Sequence, residues 1–589
     1  MDIKEFFQAK FSLNLRGVGT TIFMVIAYVF CLSIFVKNSL HIPYGDGPEY
    51  VMMTESFYNH QTPNLTKKDA EKYIDYLENK NFQIHRVGEF VKALNMDDEN
   101  AMFLGYLESK ANGKMYCYHF WMYSVFCVPA RFILGYLQAD IRATGLMTNL
   151  FLIFFGAWLI LRMKAFTQGQ RIILALLLAL SPMLFYIDWS HTEVFSGVLV
   201  FLAMAYYFTQ RKYLALFLFS MASTQNPTLF VPALFIFCEI LYRNRIKWKV
   251  LFKLFICSFW IVLPALFYKY HFGIASIISD SGVLQWDVVS FRRLWGFFFD
   301  LNQGVILGIP LLLLLMTGFL IYDLLKRKAF KPYIFIGSIF IMSLFFMQMT
   351  VWNDGNAVIK RYAVWCTSII IVVFFLRILK LKKPWFYVIS CSVLLTQLAA
   401  ISLQHSFFEA RWHASFFNDI SRYVMNNYPN LYNPEPIIFK YRLQKFELST
   451  TDSVMVYTDN ELRIKKMLVA EGAISQLEKR GITKENVNRL NQELNYRNGF
   501  AYVNQSDLEK YGYNQESDTL IEFIEKSKKQ NFLIAAEKNI RSDPNWYGQV
   551  TSSAEDENIS IDSVMTRATN YIYQIEKERF DKAKGFKEN

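Results

Sequence analysis

The sequence predicts a mostly α-helical, polytopic membrane protein with about eleven transmembrane helices, followed by a soluble C-terminal α/β or α+β domain. Two observations predict this fold class. Hydrophobic residues make up 53% of the 589 residues and charged residues only 19%, which is too apolar for a soluble multidomain protein. The apolar residues are also gathered in long runs before residue 405, after which charged residues become frequent.

The apolar runs are long enough, or nearly so, to cross roughly 30 Å of hydrocarbon. They lie at about 17–37, 142–161, 171–188, 194–209, 250–270, 303–325, 332–350, 362–379 and 385–404. A further stretch, 213–242, is interrupted by Asn226-Pro227 and predicts two short helices that meet at a turn. Residues 1–404 are therefore expected to form the membrane domain.

The net charge of +12 fits either a nucleic-acid-binding surface or positive charge retained on the cytoplasmic side of a membrane. Its distribution favours the membrane, because every second connector between apolar runs is basic, as in 162–171, 243–249 and 326–331. We therefore expect the chain to contact membrane lipid, and we expect no nucleic-acid partner. The expected location is the cell (inner) membrane, with a cytoplasmic N-terminus.

One apolar segment, 116–137, tests this alternation because a crossing there would reverse every later connector. It contains Arg131, and a central arginine costs about 2.5–3.5 kcal/mol on insertion scales. We interpret the segment as an interfacial or re-entrant helix on the outer surface. The alternative is an ordinary span in which the Arg131 side chain snorkels to the membrane surface.

The first outer loop, 38–115, begins with the motif HIPYGDGPEYVMM, which places Asp46 three residues before Glu49. One interpretation is structural: the spacing fits a capping box that opens a helix with Pro48 in its first turn. The other is catalytic, with a carboxylate that accepts the proton of an attacking hydroxyl. The two interpretations are compatible, since a capped aspartate is also held rigidly.

Three later outer segments carry further acidic and basic residues at the mouths of predicted helices. These are Asp188 and Glu193 in IDWSHTEV, Arg292 and Arg293 in 281–304, and Lys360 and Arg361 in 351–362, which also contains Asp354. Loops at the same ends of a helix bundle are neighbours, so we expect these groups to line one outer cavity. Carboxylates beside cations suit the transfer of a group from a phosphate to a hydroxyl. The cations would stabilise the negative charge of the departing phosphate.

Other interpretations apply to several of these residues. The basic pairs also fit binding of lipid head groups at the interface. His119 and His191 are expected to be hydrogen-bonded aromatic residues rather than catalysts. We expect no metal site, since no tight ligand set is visible, although a divalent cation held by Asp188 or Glu193 stays an alternative.

The order of these motifs resembles the C-type membrane glycosyltransferases, especially the branch of protein O-mannosyltransferases and aminoarabinose transferases. The motifs are the acidic first-loop motif, YHFWMYSVF, LALSPMLFYIDWSHTE, FFFDLNQGVILGIP, and W-x-x-G followed by RY. The resemblance covers roughly residues 15 to 440. It implies transfer of a sugar from a polyprenyl-phosphate donor to a glycan, lipid or protein acceptor outside the cytoplasm, with inversion at the sugar carbon.

Under this resemblance Asp46 corresponds to the first-loop aspartate that serves as general base. Glu49 departs from the pattern, because many relatives place the second acid next to the first. Lys360 and Arg361 match the basic positions that hold the donor phosphate, a task that arginine suits through its bidentate geometry. Asp188 or Glu193 would orient the acceptor.

Two other function classes are alternatives to a glycosyltransferase. A glycosyltransferase fold without activity would serve as a scaffold subunit of a cell-envelope assembly. A transporter would show internal repeats or charges at mid-membrane depth, and the sequence suggests neither.

Residues 405–445 are predicted to form a linker. Residues 446–589 are predicted to form a soluble extracytoplasmic domain that holds an acceptor or a partner protein. In this domain, SVMVYTDNELRIKKMLV predicts a hairpin around Asp459-Asn460, and TKENVNRLNQELN predicts a helix. SDTLIEFIEKSKKQ predicts a second helix, NFLIAAE a buried strand and the tail 571–589 a charged helix.

Overall fold

The computed structural model describes two units of the chain. The described residues are 15–38, 46–80, 105–244, 246–280, 282–328, 330–350, 352, 358–403, 417–444, 454–459, 463–480, 482–496, 499–511 and 560–570, with isolated residues between 533 and 554. The first unit comprises residues 1–350 and 354–414, and the second comprises 351–353 and 415–589.

The described part of the first unit is almost entirely helical. Its helices are α1 (Leu15–Asn38), α2 (Gly47–His60), α3 (Lys67–Asn79), α4 (Met122–Tyr136), α5 (Thr144–Leu161), α6 (Gln168–Ala179), α7 (Glu193–Phe208), α8 (Lys212–Ser223), α9 (Phe230–Asn244), α10 (Trp248–Phe272), α11 (Ile277–Asp280), α12 (Phe291–Phe299), α13 (Val305–Gly308), α14 (Pro310–Leu325), α15 (Tyr333–Phe346), α16 (Arg361–Ile378) and α17 (Lys383–Leu403). The prediction of a mostly helical chain is therefore confirmed.

Six described stretches are long and apolar enough to cross a membrane. They are Val18–Lys37, Ile141–Leu161, Gln168–Tyr186, Trp248–Phe272, Arg361–Ile378 and Lys383–Leu403. Shorter apolar helices, among them α7, α8, α14 and α15, accompany these six. The described residues thus contain six candidate membrane spans, in agreement with the apolar runs.

Proline residues set two of the helix boundaries. The stretch 213–242 divides at Asn226-Pro227 into α8 and α9, as predicted. The run 303–325 is predicted as one span, but α14 begins only at Pro310, after Ile309, whose backbone is not helical. Proline has no N–H to donate and favours the first turn of a helix, so it divides this apolar run.

The first outer loop folds onto the bundle through α2, α3 and a short antiparallel hairpin. This hairpin pairs β1 (Tyr106–Glu108) with β2 (Met115–Cys117). Helix α3 is amphipathic: it buries Tyr73, Leu77 and Asp69, while its other charged residues stay exposed.

Helix α4 contains Arg131, which is buried rather than extended towards a surface. Its guanidinium forms a two-point ion pair with Glu55 of α2, including a 3.0 Å bond from Nη2 to Oε2. The snorkelling alternative for Arg131 is therefore wrong. At 15 residues α4 is about 22 Å long, which is shorter than the hydrocarbon core.

Helices α7 and α16 form the centre of the first unit and are buried along nearly their whole length. They pack closely at Gly197, whose carbonyl accepts a 3.0 Å hydrogen bond from Ser368. A side chain at Gly197 would contact Met183 at 2.7 Å. This packing places the first residues of the two helices, Glu193 and Arg361, in the same region of the unit.

The other end of α7 contacts a basic cluster. Tyr207, in its last turn, donates a hydrogen bond of 2.5 Å to Glu239 of α9. The Glu239 carboxylate also pairs with Lys212 at 3.0 Å, with Arg243 at 2.9 Å and with Lys331. Tyr207 and Glu193 both lie in α7, so this cluster lies about 21 Å from Glu193 along the helix axis.

The second unit contains a three-stranded antiparallel sheet of β3 (Val454–Thr458), β4 (Ile464–Ala470) and β5 (Phe500–Asn504), in that order. The β3–β4 pairing confirms the predicted hairpin, although Asn460 lies outside the described residues. The helices of this unit are α18 (Asp419–Asn427), α19 (Pro436–Gln444), α20 (Lys484–Glu493) and α21 (Gln505–Lys510). A 3-10 helix, Glu471–Arg480, follows β4.

Apolar residues cover both faces of this sheet because successive strand residues point to opposite sides. On one face, Val469 and Val503 pack with Leu490 of α20. On the other, Leu468 and Tyr502 pack with residues of α18 and α19.

Three expectations for this region differ from the structure or lie outside it. The described part of the expected linker, from 417 onwards, is helical and packs on the sheet. Leu533 and Glu537 of the expected strand NFLIAAE are helical, because a short apolar run does not distinguish a strand from a helix. The expected helices at 517–530 and 571–589 lie outside the described residues.

Candidate active site

Three helices begin at one place in the first unit. Asp46 occupies the N-cap of α2, Glu193 is the first residue of α7 and Arg361 is the first residue of α16. Side-chain contacts among these residues and His191 join the three helix starts. A helix N-terminus carries partial positive charge, so their meeting creates a region that favours an anion.

Asp46 is the centre of this cluster. Its Oδ2 accepts a bond from Arg361 Nη1 at 3.0 Å and another from His191 Nε2 at 3.3 Å. His119 Nε2 lies 3.7 Å from the same oxygen. The Asp46 side chain is 26% exposed, so it lies at the edge of the buried cluster.

Glu49 lies one turn further along α2 and is buried. Its Oε2 is 2.5 Å from His119 Nδ1 and 3.5 Å from the thiol of Cys117. The β1–β2 hairpin brings these two residues over α2, and Gly105, at φ +75°, allows the close approach. A Cβ at Gly105 would overlap the Glu49 carboxylate and the Tyr118 ring.

His191 bridges two carboxylates. Its Nε2 faces Asp46, while its Nδ1 lies 3.3 Å from Glu193 Oε1. The ring stacks on Trp189 with centroids 4.0 Å apart, and the edge-on ring of Tyr50 packs beside it. Because both ring nitrogens face carboxylates, the imidazole is held in one orientation.

The electrostatics of the cluster follow from these contacts. Burial alone would raise the pKa of Asp46, but the His191 hydrogen bond and the charges of His119 and Arg361 hold that pKa well below its usual range. Burial would lower the pKa of His191, but its bonds to Asp46 and Glu193 raise it above the usual value. Asp46 is therefore an anion, paired with the cationic Arg361.

Burial has a different effect on the neighbouring groups. It raises the pKa of Glu49, against the opposing influence of His119. It also raises the pKa of the Cys117 thiol well above the usual value, so this cysteine is a protonated hydrogen-bond donor rather than a nucleophile.

The capping-box interpretation of Asp46 and Glu49 is wrong in its hydrogen bonds. Helix α2 does begin after Asp46, with Pro48 in its first turn, as predicted. Asp46, however, makes no side-chain cap hydrogen bond, and both carboxylates bind side chains of other segments.

Lys360 is buried immediately before α16, and its backbone N–H donates a 3.0 Å hydrogen bond to the carbonyl of Gln303. The turn that contains Gln303 is held by Asp300, whose Oδ1 accepts the backbone N–H groups of Asn302 at 2.7 Å and Gln303 at 3.0 Å. The segment DLNQG therefore positions the start of α16.

The remaining predicted residues are placed differently. Arg293 is buried and donates to the backbone carbonyls of Met347 and Met349, each at 2.8 Å, so it ties α12 to the end of α15 rather than to Asp46. Its neighbour Arg292 is half-buried, as is Asp188 in the turn before α7. Asp354 lies outside the described residues.

Sequence reasoning underestimated three members of the cluster: His119, His191 and Cys117. The two histidines are indeed packed among aromatic rings, as expected, but both also bind carboxylates. The available signal was the HTE sequence, which places His191 two residues from Glu193 at a helix start. Cys117 carried no comparable signal.

Glu49, Cys117 and His119 place potential metal-ligand atoms within 4.8 Å of one another. The three groups already form hydrogen bonds among themselves, and the protonated Cys117 thiol is a weak ligand. This arrangement therefore provides no argument for a metal.

A cavity of about 10 Å³ lies behind α2, lined by Tyr50, Glu55 and Ser190 among others. This volume is about that of one water molecule, so the cavity is too small for a larger ligand.

Comparison of the chain with protein families, curated proteins and solved structures finds no match.

Proposed function

We propose that this chain is an inverting membrane glycosyltransferase that transfers a sugar from a polyprenyl-phosphate donor to an acceptor hydroxyl on the extracytoplasmic side. The observation that carries the proposal is the contact between Asp46 and Arg361 where three helices begin. A carboxylate that accepts a proton and a guanidinium that binds phosphate are the two groups that this reaction requires.

The basic cluster around Glu239 supports an extracytoplasmic location for the site. It gathers Lys212, Arg243 and Lys331 at the opposite end of α7 from Glu193. Basic residues mark the cytoplasmic ends of membrane helices. About eleven crossings by the six long helices and the shorter α7, α8, α9, α14 and α15 would then place the C-terminal domain outside.

In the proposed reaction Asp46 accepts the proton of the acceptor hydroxyl, and the hydroxyl oxygen attacks the anomeric carbon of the sugar. The bond between that carbon and the phosphate oxygen breaks, and the phosphate leaves with the electron pair. Arg361, with Lys360 beside it and the helix N-termini, stabilises this leaving charge. Attack opposite to the leaving group inverts the sugar carbon.

The other members of the cluster hold Asp46 in place. His191 is fixed by Glu193 and by stacking on Trp189, so it keeps the Asp46 carboxylate at the mouth of α2. His119, which follows β2 and is fixed by Glu49, also holds the Asp46 carboxylate. Preorganisation of this kind lowers the cost of reaching the reactive geometry.

Glycan profiling of a deletion strain tests the proposal most directly. We expect one sugar to be missing from an envelope glycan, lipid or protein, and we expect the wild-type gene to restore it. The purified full-length chain should then transfer that sugar from its polyprenyl-phosphate form. A deletion that removes no sugar but disrupts an envelope complex would instead indicate a scaffold subunit.

A further inference from the structure

Arg361 and Asp46 are joined by one nitrogen and one oxygen, Nη1 and Oδ2, at 3.0 Å. The same oxygen faces two imidazoles, those of His191 and His119. A guanidinium binds a carboxylate or a phosphate most strongly through two parallel bonds. The Arg361–Asp46 pair does not use that arrangement, so a phosphate can offer Arg361 a better partner.

The surroundings of Asp46 present a difficulty for its role as a base. A carboxylate surrounded by cations binds a proton weakly, whereas an effective general base has a pKa closer to the working pH. Removal of one cation from Asp46 would make the carboxylate more basic. Arg361 is the cation that a phosphate substrate would attract.

We propose that Asp46 and the phosphate of the lipid-linked donor compete for Arg361, so that donor binding itself releases Asp46 to act on the acceptor hydroxyl. The inference rests on the proposed function for the identity of the phosphate ligand. It adds that the site is inactive until the donor is bound, which makes donor-first binding the productive order.

The structure also provides what keeps Asp46 in position once Arg361 turns to the phosphate. His191 binds Asp46 at 3.3 Å, and Glu193 holds the other side of the imidazole at 3.3 Å. Both His191 and Glu193 are buried. The carboxylate therefore stays at the start of α2 when one of its contacts is exchanged.

The test is a double-mutant cycle on binding of polyprenyl phosphate to the full-length protein in lipid nanodiscs. The four proteins are the wild type, Asp46→Asn, Arg361→Gln and the double variant. Asp46→Asn is expected to bind roughly tenfold more tightly, because the Asp46 carboxylate no longer competes with the phosphate for Arg361. Arg361→Gln is expected to bind at least tenfold more weakly, and adding Asp46→Asn to it should restore almost nothing.

Asp280→Asn is the control for loss of a negative charge. Its carboxylate is exposed on α11, and we expect less than a twofold change in affinity. If Asp46→Asn binds no more tightly than Asp280→Asn, the competition does not exist. An equal gain from Asp46→Asn in the Arg361→Gln background would overturn the inference in the same way.

Two further ligands identify what Arg361 binds. Inorganic phosphate should compete with polyprenyl phosphate more effectively in Asp46→Asn than in the wild type, because the contested group is the phosphate. If the variant gains affinity for phosphatidylglycerol but not for polyprenyl phosphate, the site binds bulk lipid and the proposal is wrong. Arg361→Lys, which keeps the charge, replaces Arg361→Gln if the latter does not fold, and should bind with intermediate affinity.

This binding experiment is independent of sugar transfer. Tighter binding by Asp46→Asn without any transferable sugar would leave the competition intact and remove the enzymatic proposal. Sugar transfer by the wild type without tighter binding by Asp46→Asn would support the enzymatic proposal and exclude the competition.

Discussion

Helix α2 makes two arginine–carboxylate pairs that differ in geometry. Glu55 and Arg131 are 1% and 5% exposed, and the guanidinium engages both carboxylate oxygens and packs on Tyr58. Asp46 offers one oxygen to Arg361, shares that oxygen with two imidazoles and is 26% exposed. The same two functional groups thus form a closed structural contact in one place and an open, exchangeable one in the other.

A third pair follows the closed arrangement. Arg377 at the end of α16 binds both oxygens of Asp323, at 2.7 and 3.0 Å. Helix α16 therefore has an open pair at its first residue and a closed pair near its last turn. Two-point geometry and full burial identify the pairs that hold helices together, and one-point geometry with partial exposure identifies the pair that a ligand can reach.

The largest effect is expected at the open pair, on activity. Asp46→Asn should lower sugar transfer by about a hundredfold or more, because the amide cannot accept the acceptor proton. The measurement is transfer from the lipid-linked sugar that glycan profiling identifies. Asp280→Asn, at an exposed carboxylate, is the control and should transfer normally. Full activity of Asp46→Asn would show that this aspartate is not the base.

The closed pair should instead dominate stability. Glu55→Gln leaves the buried Arg131 without a counter-charge, and we expect a loss of about 3 kcal/mol in the free energy of unfolding. Asp46→Asn should cost less than Glu55→Gln, because the Asp46 side chain is 26% exposed and an asparagine oxygen can still accept a hydrogen bond from Arg361. Thermal unfolding in lipid measures both, and Glu55→Gln combined with Arg131→Met should recover most of the loss. Equal costs for the two single variants would contradict the contrast between the pairs.

Gly105 allows a smaller and more local perturbation. Gly105→Ala should be destabilised by roughly 1–3 kcal/mol more than Gly273→Ala, because only the former places a methyl group against Glu49 and Tyr118. Both glycines have positive φ, +75° and +79°, so the backbone strain is matched. The variant should also impair transfer while the Arg131–Glu55 pair stays intact. Equal melting temperatures for Gly105→Ala and Gly273→Ala would show that Glu49 and Tyr118 do not pack tightly against Gly105.

The smallest effect is a pH dependence that the closed pair lacks. The raised pKa of His191 means that its cationic bonds to Asp46 and Glu193 stabilise the fold fully below about pH 6.5 and are lost as the pH rises through the raised pKa. His191→Gln should therefore lower the melting temperature at about pH 6 and have less effect at about pH 9. The pKa of Asp46 lies too low for this residue to titrate in that range. A pH-independent difference would exclude a charged His191.

The alternation of basic connectors was sufficient to predict that Asp46, Glu193 and Arg361 belong to the same end of the bundle. It could not predict the contact between Glu49 and His119, because that contact depends on the hairpin that folds the first loop back over α2. Nor could it distinguish the role of Arg361 from that of Arg293, since both lie in the first turn of a helix beside aromatic residues. Only the fold shows that Arg293 is engaged by the backbone carbonyls of another helix.

The partners Asp46 and Arg361 are 315 positions apart in the chain. At about 5–20 residues per second, a ribosome needs roughly 15–60 s to add the arginine after the aspartate. A nascent chain therefore carries Asp46 through about half of its synthesis without the cation that completes the cluster. Translation that stops before the last two long apolar helices yields a product that lacks Arg361.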